Sequence, residues 1–419
     1  MVEPVKSTIA HTKKALDYVG RTLQLDIYYF VRGGFWLSFS NLLSGLIAFF
    51  VIVAFTHLTT KEFYGQYQFV LTVVTTLQIF SLPGMPTAIV QSVARGLSRA
   101  FIQATKVRFF YSFIGSIALF LFAGYLKYVR PNEIWYLFVL SAVFFPFLFS
   151  FNGCSAYFIG KKQFKAAAFP SLIGPICVGL SVLAAVIFVR SLFWIVGTYL
   201  AVTSLINLIL YAYIAKQNLK GKYPSIVHYG WHLSFMNGIQ VIGLQIDRLV
   251  VPYFLGFEQL AIYAVASSLP EALKGFMKIS SSLLLPKFSA LKKLEVYSQV
   301  KTRLFLIFLL SIAASLIGVA LSPFVVPLFF SSAYANAVSF TQVLFLSIAV
   351  GLPSSIFLTV LEARKNVKAM YSYNVVFMLL SILLFVILTP IYGLLGACTA
   401  KLIARYIGFI QLWLGAKRS

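Results

Sequence analysis

The chain has 419 residues, of which 60% are apolar and only 11% are charged. Soluble globular domains carry about a quarter charged residues, so this composition excludes an ordinary soluble protein. The net charge of +24 would suggest nucleic-acid binding in a soluble chain, but here the basic residues lie in short clusters between apolar runs, which argues against a nucleic-acid partner.

The N-terminal segment, residues 1–32, is polar and basic and lacks the pattern of a signal peptide. Within it, apolar residues recur at helical spacing: Ile9, Leu16, Val19, Leu23 and Ile27. This pattern predicts an amphipathic helix over residues 7–30 that lies on the cytoplasmic leaflet. A solvated tail is the alternative.

Twelve apolar runs follow, each long enough to cross the hydrocarbon core as a helix, which takes about 20 residues. They cover residues 33–57, 63–93, 107–126, 134–159, 166–189, 192–215, 230–254, 259–286, 303–330, 338–361, 369–389 and 391–414. The connecting segments are short and leave no room for an inserted soluble domain. The sequence therefore predicts an all-α integral membrane protein with about 12 transmembrane helices.

The basic residues are distributed unequally between the two sides of these predicted helices. With the N-terminus inside, 25 Lys and Arg residues, Arg108 among them, fall in cytoplasmic segments, and four fall outside. Cytoplasmic loops are enriched in Lys and Arg. This asymmetry predicts cytoplasmic termini, which agrees with an even number of membrane crossings.

An internal repeat is visible when the chain is aligned with itself at an offset of 196 residues. Nine identities fall within residues 34–80: Gly34, Leu37, Ser38, Phe39, Asn41, Glu62, Tyr67, Leu77 and Phe80 align with Gly230, Leu233, Ser234, Phe235, Asn237, Glu258, Tyr263, Leu273 and Phe276. An offset of six membrane crossings predicts two parallel six-helix bundles, residues 33–222 and 223–419, around a central cavity. This architecture is typical of transporters.

One region in each half, made of two segments, resembles the polysaccharide transporter (Wzx-type oligosaccharide flippase) family, which belongs to the multidrug/oligosaccharidyl-lipid/polysaccharide exporter superfamily. In the first half these are residues 61–67, Lys-Glu-Phe-Tyr-Gly-Gln-Tyr, and the Gly-containing break at 82–90. In the second half they are residues 246–250, Ile-Asp-Arg-Leu-Val, and the stretch from Leu255 to Tyr263, in which Ala261 replaces the usual Gly. The resemblance implies a flippase that moves a polyprenyl-pyrophosphate-linked oligosaccharide, a lipid-linked substrate, from the inner to the outer leaflet of a cell inner membrane.

Seven ionisable residues remain inside the predicted membrane crossings, where charge is costly and is usually functional. The bases are Arg248, Lys274, Lys278, Lys401 and Arg405, and the acids are Asp247 and Glu271. Helical spacing places Glu271, Lys274 and Lys278 on one face and pairs Lys401 with Arg405. A cavity lined by five bases and two acids favours an anionic group such as pyrophosphate, which Arg and Lys bind well.

Each of these residues also has a structural interpretation. Asp247 and Arg248 are adjacent in a helix, point to different faces and are expected to find separate partners. Lys278, Lys401 and Arg405 could instead extend to the membrane surface. Asp247 and Glu271 could exchange a coupling ion, H⁺ or Na⁺, or could only neutralise the neighbouring bases, and their basic neighbours favour neutralisation.

Helix breaks predict where the protein could bend. Pro83, Gly84 and Pro86 interrupt the second apolar run, and Pro270 lies in the eighth. Proline removes a helical hydrogen bond and kinks the helix, so these four residues are candidate hinges. Prolines are also common in membrane helices for structural reasons.

The sequence shows no nucleotide-binding glycine loop, no Ser-His-Asp set and no paired catalytic carboxylates, so we expect neither an enzyme nor a cofactor. His228 and His232 have the spacing of metal ligands but no third partner, and we expect no metal site. Two alternatives remain: an exporter of the same superfamily, either MATE-like or lipid II-like, and a membrane enzyme of polysaccharide assembly. The second should carry a large external loop or catalytic residues.

Overall fold

The computed structural model describes residues 27–129, 134–217, 219, 226–290, 293–364 and 366–418. The amphipathic helix predicted for residues 7–30 lies almost entirely outside this range. In the first half (33–222) the helices are α1 (Ile27–Leu58), α2 (Lys61–Thr76), α3 (Met85–Ala94), α4 (Ala100–Val129), α5 (Trp135–Ser150), α6 (Cys154–Gly160), α7 (Phe164–Phe188) and α8 (Leu192–Ala215), with a 3-10 helix at Leu77–Ser81.

In the second half (223–419) the described residues also form helices joined by short turns. Its helices are α9 (Ile226–Leu255), α10 (Phe257–Ala290), α11 (Lys293–Phe329), α12 (Ala337–Leu346), α13 (Gly351–Ala363) and α14 (Val367–Arg418), with 3-10 helices at Ser332–Tyr334 and Ser347–Val350. The chain is therefore a multi-pass membrane protein of the all-α class.

Nine helices among the described residues are long and apolar enough to cross a membrane, and the bent pair Lys61–Ser81 and Met85–Ala94 adds a tenth. The 34-residue α10 is long enough but carries Glu271 and Lys274 in its middle. The 52-residue α14 contains a non-helical residue, Gly393, with φ 60°. Since a straight helix of that length would extend about 78 Å, more than twice the hydrocarbon thickness, α14 is two membrane crossings. With these additions the helices account for the twelve predicted crossings.

Local sequence explains where α2 begins and where α9 ends. Thr60 caps α2, since its Oγ1 accepts a hydrogen bond from the backbone N–H of Phe63 at 3.3 Å, a common N-terminal cap. A single residue, Gly256, separates α9 from α10 and has a φ of 86°, a left-handed conformation that glycine adopts without strain. This tight turn makes α9 and α10 an antiparallel hairpin.

Both halves contribute to one continuous apolar core. It contains Phe55, Tyr64 and Tyr67 from the first half together with Val251 and Tyr263 from the second. The backbones also meet closely: a Cβ atom at Gly65 would overlap the carbonyl oxygen of Phe257. The halves are thus in contact where α2 begins and where α10 begins.

The second membrane crossing is broken at the predicted Pro-Gly segment. The 3-10 helix Leu77–Ser81 ends at Leu82, which is left-handed with φ 56°, and α3 restarts at Met85 after a bend of 48°. The broken segment lies against α9, because the backbone N–H of Gly84 donates to Ser234 Oγ at 3.0 Å. In contrast, α10 is continuous through Pro270, so the structure has no helix break there.

Arg108 supports this break from inside the protein. Its side chain is buried in α4, and it donates from Nε to the carbonyl oxygen of Ser81 at 3.1 Å and from Nη1 to that of Ser150 at 3.3 Å. Both carbonyls lie at helix ends, where they lack helical partners. The sequence predicts a cytoplasmic position for Arg108, and the structure adds that its side chain is buried among the helices near the start of α4.

Candidate functional site

The candidate site is a charged cluster formed by Asp247, Arg248, Glu271 and Lys401, with the phenol of Tyr263. The α9–α10 hairpin supplies the first three and Tyr263, and the part of α14 after Gly393 supplies Lys401. The cluster therefore joins three helices of the second half. Residues far apart in the chain meet here: Lys401 lies 154 residues from Asp247.

Asp247 is the buried anchor of the charged cluster, with only 4% of its side chain exposed. Its Oδ2 atom accepts hydrogen bonds from Tyr263 OH at 2.8 Å and from Lys401 Nζ at 2.8 Å. Its Oδ1 atom accepts from the backbone N–H of Arg248 at 2.8 Å. Lys401 also lies 5.3 Å from the centroid of the Tyr263 ring. With these partners the carboxylate is held in place by three hydrogen bonds.

Glu271 bridges the two bases of the charged cluster. Its Oε2 atom accepts from Arg248 Nη2 at 2.8 Å, and its Oε1 atom accepts from Lys401 Nζ at 3.0 Å. Glu271 is the most exposed of the four, with 38% of its side chain accessible, against 23% for Arg248 and 13% for Lys401. The exposed side of the cluster is thus one carboxylate held between two cations.

The electrostatics of the charged cluster follow from this pairing. Two carboxylates balance one guanidinium and one ammonium group, so the cluster is formally neutral. Ionised groups at membrane depth are tolerated only when they are paired or face water. As expected from their adjacent positions, Asp247 and Arg248 have different side-chain partners, Lys401 and Glu271 respectively.

The other predicted bases are less closely associated with the charged cluster. Lys274 is exposed on α10, one turn beyond Glu271. Lys278 lies further along α10, where side chains are outside the described part of the structure. Arg405 is one turn beyond Lys401 and donates from Nη1 to Ser347 Oγ at 2.7 Å, at the end of α12.

Tyr263 is a site residue that charge counting missed. Tyr263 belongs to the stretch that resembles the family and is the repeat partner of Tyr67, but a count of charged residues does not select it. Its position on α10, two turns before Glu271, was the available signal, since a buried tyrosine hydroxyl usually finds a hydrogen-bond partner.

Comparisons with known proteins are informative at the level of family and fold. A family model described as "Polysaccharide biosynthesis protein" matches residues 30–292, a range that includes Asp247, Arg248 and Glu271 and ends before Lys401. No curated protein sequence matches the chain.

Several solved structures share the fold. The chain is similar to the lipid II flippase MurJ in an inward closed conformation, with a TM-score of 0.68 and 18% identity over 91% of this chain and 87% of that one. It is also similar to an outward-facing multidrug resistance MATE family transporter of the MOP superfamily, with a TM-score of 0.64 and 12% identity over 92% and 95%. A MOP superfamily transporter from Pyrococcus furiosus gives the same values. The chain therefore has the MOP transporter fold.

Proposed function

Because the chain belongs to the polysaccharide biosynthesis protein family, we propose that it is a flippase for a polyprenyl-pyrophosphate-linked oligosaccharide. It moves this lipid from the cytoplasmic to the outer leaflet of the cell inner membrane by alternating access of its two halves. Both termini are cytoplasmic, as the excess of basic residues on one side indicates. The protein performs transport and no covalent chemistry.

The observation that carries this proposal is the pair of cations around Glu271. Arg248 and Lys401 converge from two helices on the two oxygens of one exposed carboxylate. A pyrophosphate offers oxygens at comparable positions and more negative charge, and Arg is well suited to bidentate contact with phosphate oxygens. The substrate therefore binds by displacing Glu271 from the two cations.

The remaining charged residues have supporting roles in this mechanism. Lys274 and Arg405 lie one turn beyond Glu271 and Lys401 and, together with Lys278, attract the anionic headgroup as it approaches. Asp247 keeps Lys401 in position throughout. If transport is coupled to H⁺ or Na⁺, the ion exchanges at Glu271, because this carboxylate is the more exposed of the two acids.

Matching contacts support the proposal that the two halves are repeats. In the first half, a Cβ atom at Gly115 on α4 would overlap the ring of Phe145 on α5. In the second half, a Cβ atom at Gly318 on α11 would overlap the ring of Phe345 on α12. The third and ninth crossings thus pack on the fourth and tenth in the same way. Two related bundles with one charged cluster suit a rocking motion about a central substrate.

An exporter of the MATE type is the second candidate, because the fold is also shared with those transporters. The two candidate functions differ in the sign of the substrate's charge. Displacement of Glu271 by an anion leaves Arg248 and Lys401 paired with that anion. A cationic substrate that takes Glu271 from both bases would leave Lys401 with Asp247 as its remaining acid and would remove the carboxylate that pairs with the guanidinium of Arg248, and breaking such an ion pair is costly.

The test is transport in proteoliposomes, with a fluorescent undecaprenyl-pyrophosphate oligosaccharide and, in parallel, a fluorescent organic cation. We expect the wild type to flip the lipid and Arg248→Ala to lose at least about tenfold in rate, since one charge-assisted contact to an anion contributes about 1.5–3 kcal/mol. Lys216→Ala, an exposed base at the end of α8, is the matched control and should retain wild-type rates. Efflux of the cation without flipping of any lipid-linked glycan would assign the protein to the drug exporters.

A further inference from the structure

The first half contains a large internal cavity that is separate from the charged cluster. Its volume is about 570 Å³, and its wall is built from α1, α2, α5, α6, α7 and α8. This size lies within the range of about 300–1,000 Å³ that is usual for small-molecule sites. Six helices of the first half contribute to its wall, and the cavity is partly open at its surface.

The chemistry of the wall excludes a charged ligand. None of the residues that line the cavity is Asp, Glu, Lys, Arg or His. Several of its polar groups already have partners in the wall: Asn207 donates to Leu148 O at 2.9 Å, Thr203 to Tyr199 O at 2.6 Å and Ser155 to Ala167 O at 3.0 Å. The surface that remains is mainly hydrocarbon, and a charge placed there would lose its hydration without compensation.

Helix α2 separates this cavity from the charged cluster. Gln68 lines the cavity, and its Nε2 atom donates to the hydroxyl of Tyr64 at 2.8 Å. Tyr64, one turn earlier, is fully buried and belongs to the same apolar core as Tyr263, whose hydroxyl donates to Asp247 of the charged cluster at 2.8 Å. An apolar site and an anion site thus adjoin across a single helix, at the contact between the two halves.

We propose that the cavity in the first half binds the isoprenoid chain of the lipid-linked substrate while the charged cluster binds its pyrophosphate. An amphiphile with an anionic head and a long hydrocarbon tail matches this adjacent pair of sites. The proposal rests on the proposed function for the head, and it adds a separate site for the tail. An acyl chain from the bilayer is the other source of hydrocarbon, and the test distinguishes the two.

Gly174 provides the means to test the cavity. It lies on the cavity wall in α7, and a Cβ atom added there meets no atom within 4 Å. An alanine methyl group therefore fits at this position without contact, and we expect the larger side chains of Leu and Phe to reduce the volume of the cavity. A Cβ atom added at Gly124 in α4 also meets no atom within 4 Å. Because Gly124 is not part of the cavity, it is the matched control.

The experiment uses the full-length protein in nanodiscs and two photoreactive probes, a diazirine polyprenyl alcohol that has no phosphate and a diazirine phosphatidylethanolamine. Labelled peptides are identified by mass spectrometry. We expect the polyprenyl probe to label the cavity wall, with labelling that decreases progressively from Gly174→Ala to Gly174→Leu to Gly174→Phe. The polyprenyl probe should label the Gly124→Phe variant to the same extent as the wild type. The phospholipid probe should label the outer surface of the bundle.

The results separate this inference from the proposed function. If the polyprenyl probe labels the cavity but no lipid-linked glycan is flipped, the tail site stands and the proposed function fails. If glycan flipping is intact while labelling is insensitive to Gly174→Phe, the tail site is refuted. Equal labelling of the cavity by the phospholipid probe would also overturn the proposal, because it would assign the cavity to bilayer lipid.

Discussion

Lys401 and Glu271 are 130 residues apart in the chain and form an ion pair of 3.0 Å. The other oxygen of the same carboxylate is held by Arg248 at 2.8 Å. Glu271 therefore occupies the place between two cations that the proposed mechanism gives to the substrate pyrophosphate. The mechanism makes the carboxylate an internal competitor of the substrate.

Replacement of Glu271 by Gln should strengthen binding of the pyrophosphate group and slow transport. The amide has no negative charge, so a pyrophosphate no longer has to displace an anion, and we expect about tenfold tighter binding of geranyl diphosphate, which corresponds to about 1.4 kcal/mol. Release should slow for the same reason, and flipping should be slower than in the wild type. Calorimetric titration and the flipping assay measure the two effects.

Glu258→Gln is the matched control for this measurement, because Glu258 is an exposed acid at the start of the same helix. It should leave the affinity for geranyl diphosphate unchanged. Weaker binding to the Glu271→Gln variant would show that Glu271 supports the anion site, and the displacement mechanism would have to be abandoned.

The stability of the protein should depend on Asp247 and Lys401 in the way expected for a buried ion pair. Lys401→Met leaves the Asp247 carboxylate with one partner fewer in an apolar environment, and we expect a loss of about 3 kcal/mol or more in stability. The double variant Asp247→Asn with Lys401→Met removes both charges and should recover most of that loss. Thermal unfolding in detergent, followed by size-exclusion chromatography, measures each variant. Additive losses in the double variant would contradict the direct pairing.

Arg108 should contribute to the stability of the protein and have no direct role in transport. Arg108→Ala leaves the carbonyl groups of Ser81 and Ser150 without their donor, and an unsatisfied buried acceptor costs about 1–3 kcal/mol. Arg99→Ala is the matched control: Arg99 also donates to a backbone carbonyl, that of Leu219 at 3.0 Å, but at an exposed position. We expect Arg108→Ala to unfold at a clearly lower temperature than Arg99→Ala. Equal unfolding temperatures would mean that water replaces the guanidinium at the helix break.

The sequence predicted the helices and the bend because both depend on local signals. The length of an apolar run determines whether it can cross the membrane, and a Pro-Gly-x-Pro segment interrupts helical hydrogen bonding wherever it occurs. Pro270 is also a proline inside an apolar run, but it has no adjacent glycine, and α10 continues through it. One proline without an adjacent glycine was therefore a weaker predictor than the segment at 83–86.

The candidate site was predictable as a set of residues but not as an arrangement. Counting charges in apolar runs identified all four charged members of the cluster, because each is costly unless it is used. The pairing of Lys401 with Asp247 depends on how α14 is rotated and packed against α9, which the sequence of neither helix specifies. The internal cavity gave no sequence signal either, since its wall consists of ordinary apolar and small residues.

Topology can be tested with single cysteines. In a background in which Cys154, Cys177 and Cys398 are replaced by Ser, a cysteine at Lys162 should react with a membrane-impermeant maleimide only after the membrane is permeabilised. A cysteine at Arg190, at the other end of α7, should react in intact cells. The excess of basic residues on the side of Lys162 is the physical reason. The reverse pattern would invert the orientation and the direction of transport.

The contact between Gly65 and Phe257 should control access at one end of the protein. Gly65→Ala places a methyl group against the carbonyl oxygen of Phe257, and because this neighbour is backbone, the two halves must separate to relieve the overlap. Spin labels at Glu62 and Ala335 lie close to this contact, since Lys61 stacks over Tyr334 with 5.9 Å between Nζ and the ring centroid. We expect the distance between the labels to increase in Gly65→Ala.

Gly84→Ala is the matched variant at a second close contact between the halves, where a Cβ atom would overlap the backbone of Leu233 and Ser234. Gly84→Ala should not increase the distance between labels at Glu62 and Ala335. If the halves rock as two units, this variant should hold the two labels at their shortest distance. An equal increase in both variants would indicate general loosening of the bundle. It would contradict alternating access, because that mechanism requires the two contacts to open in turn.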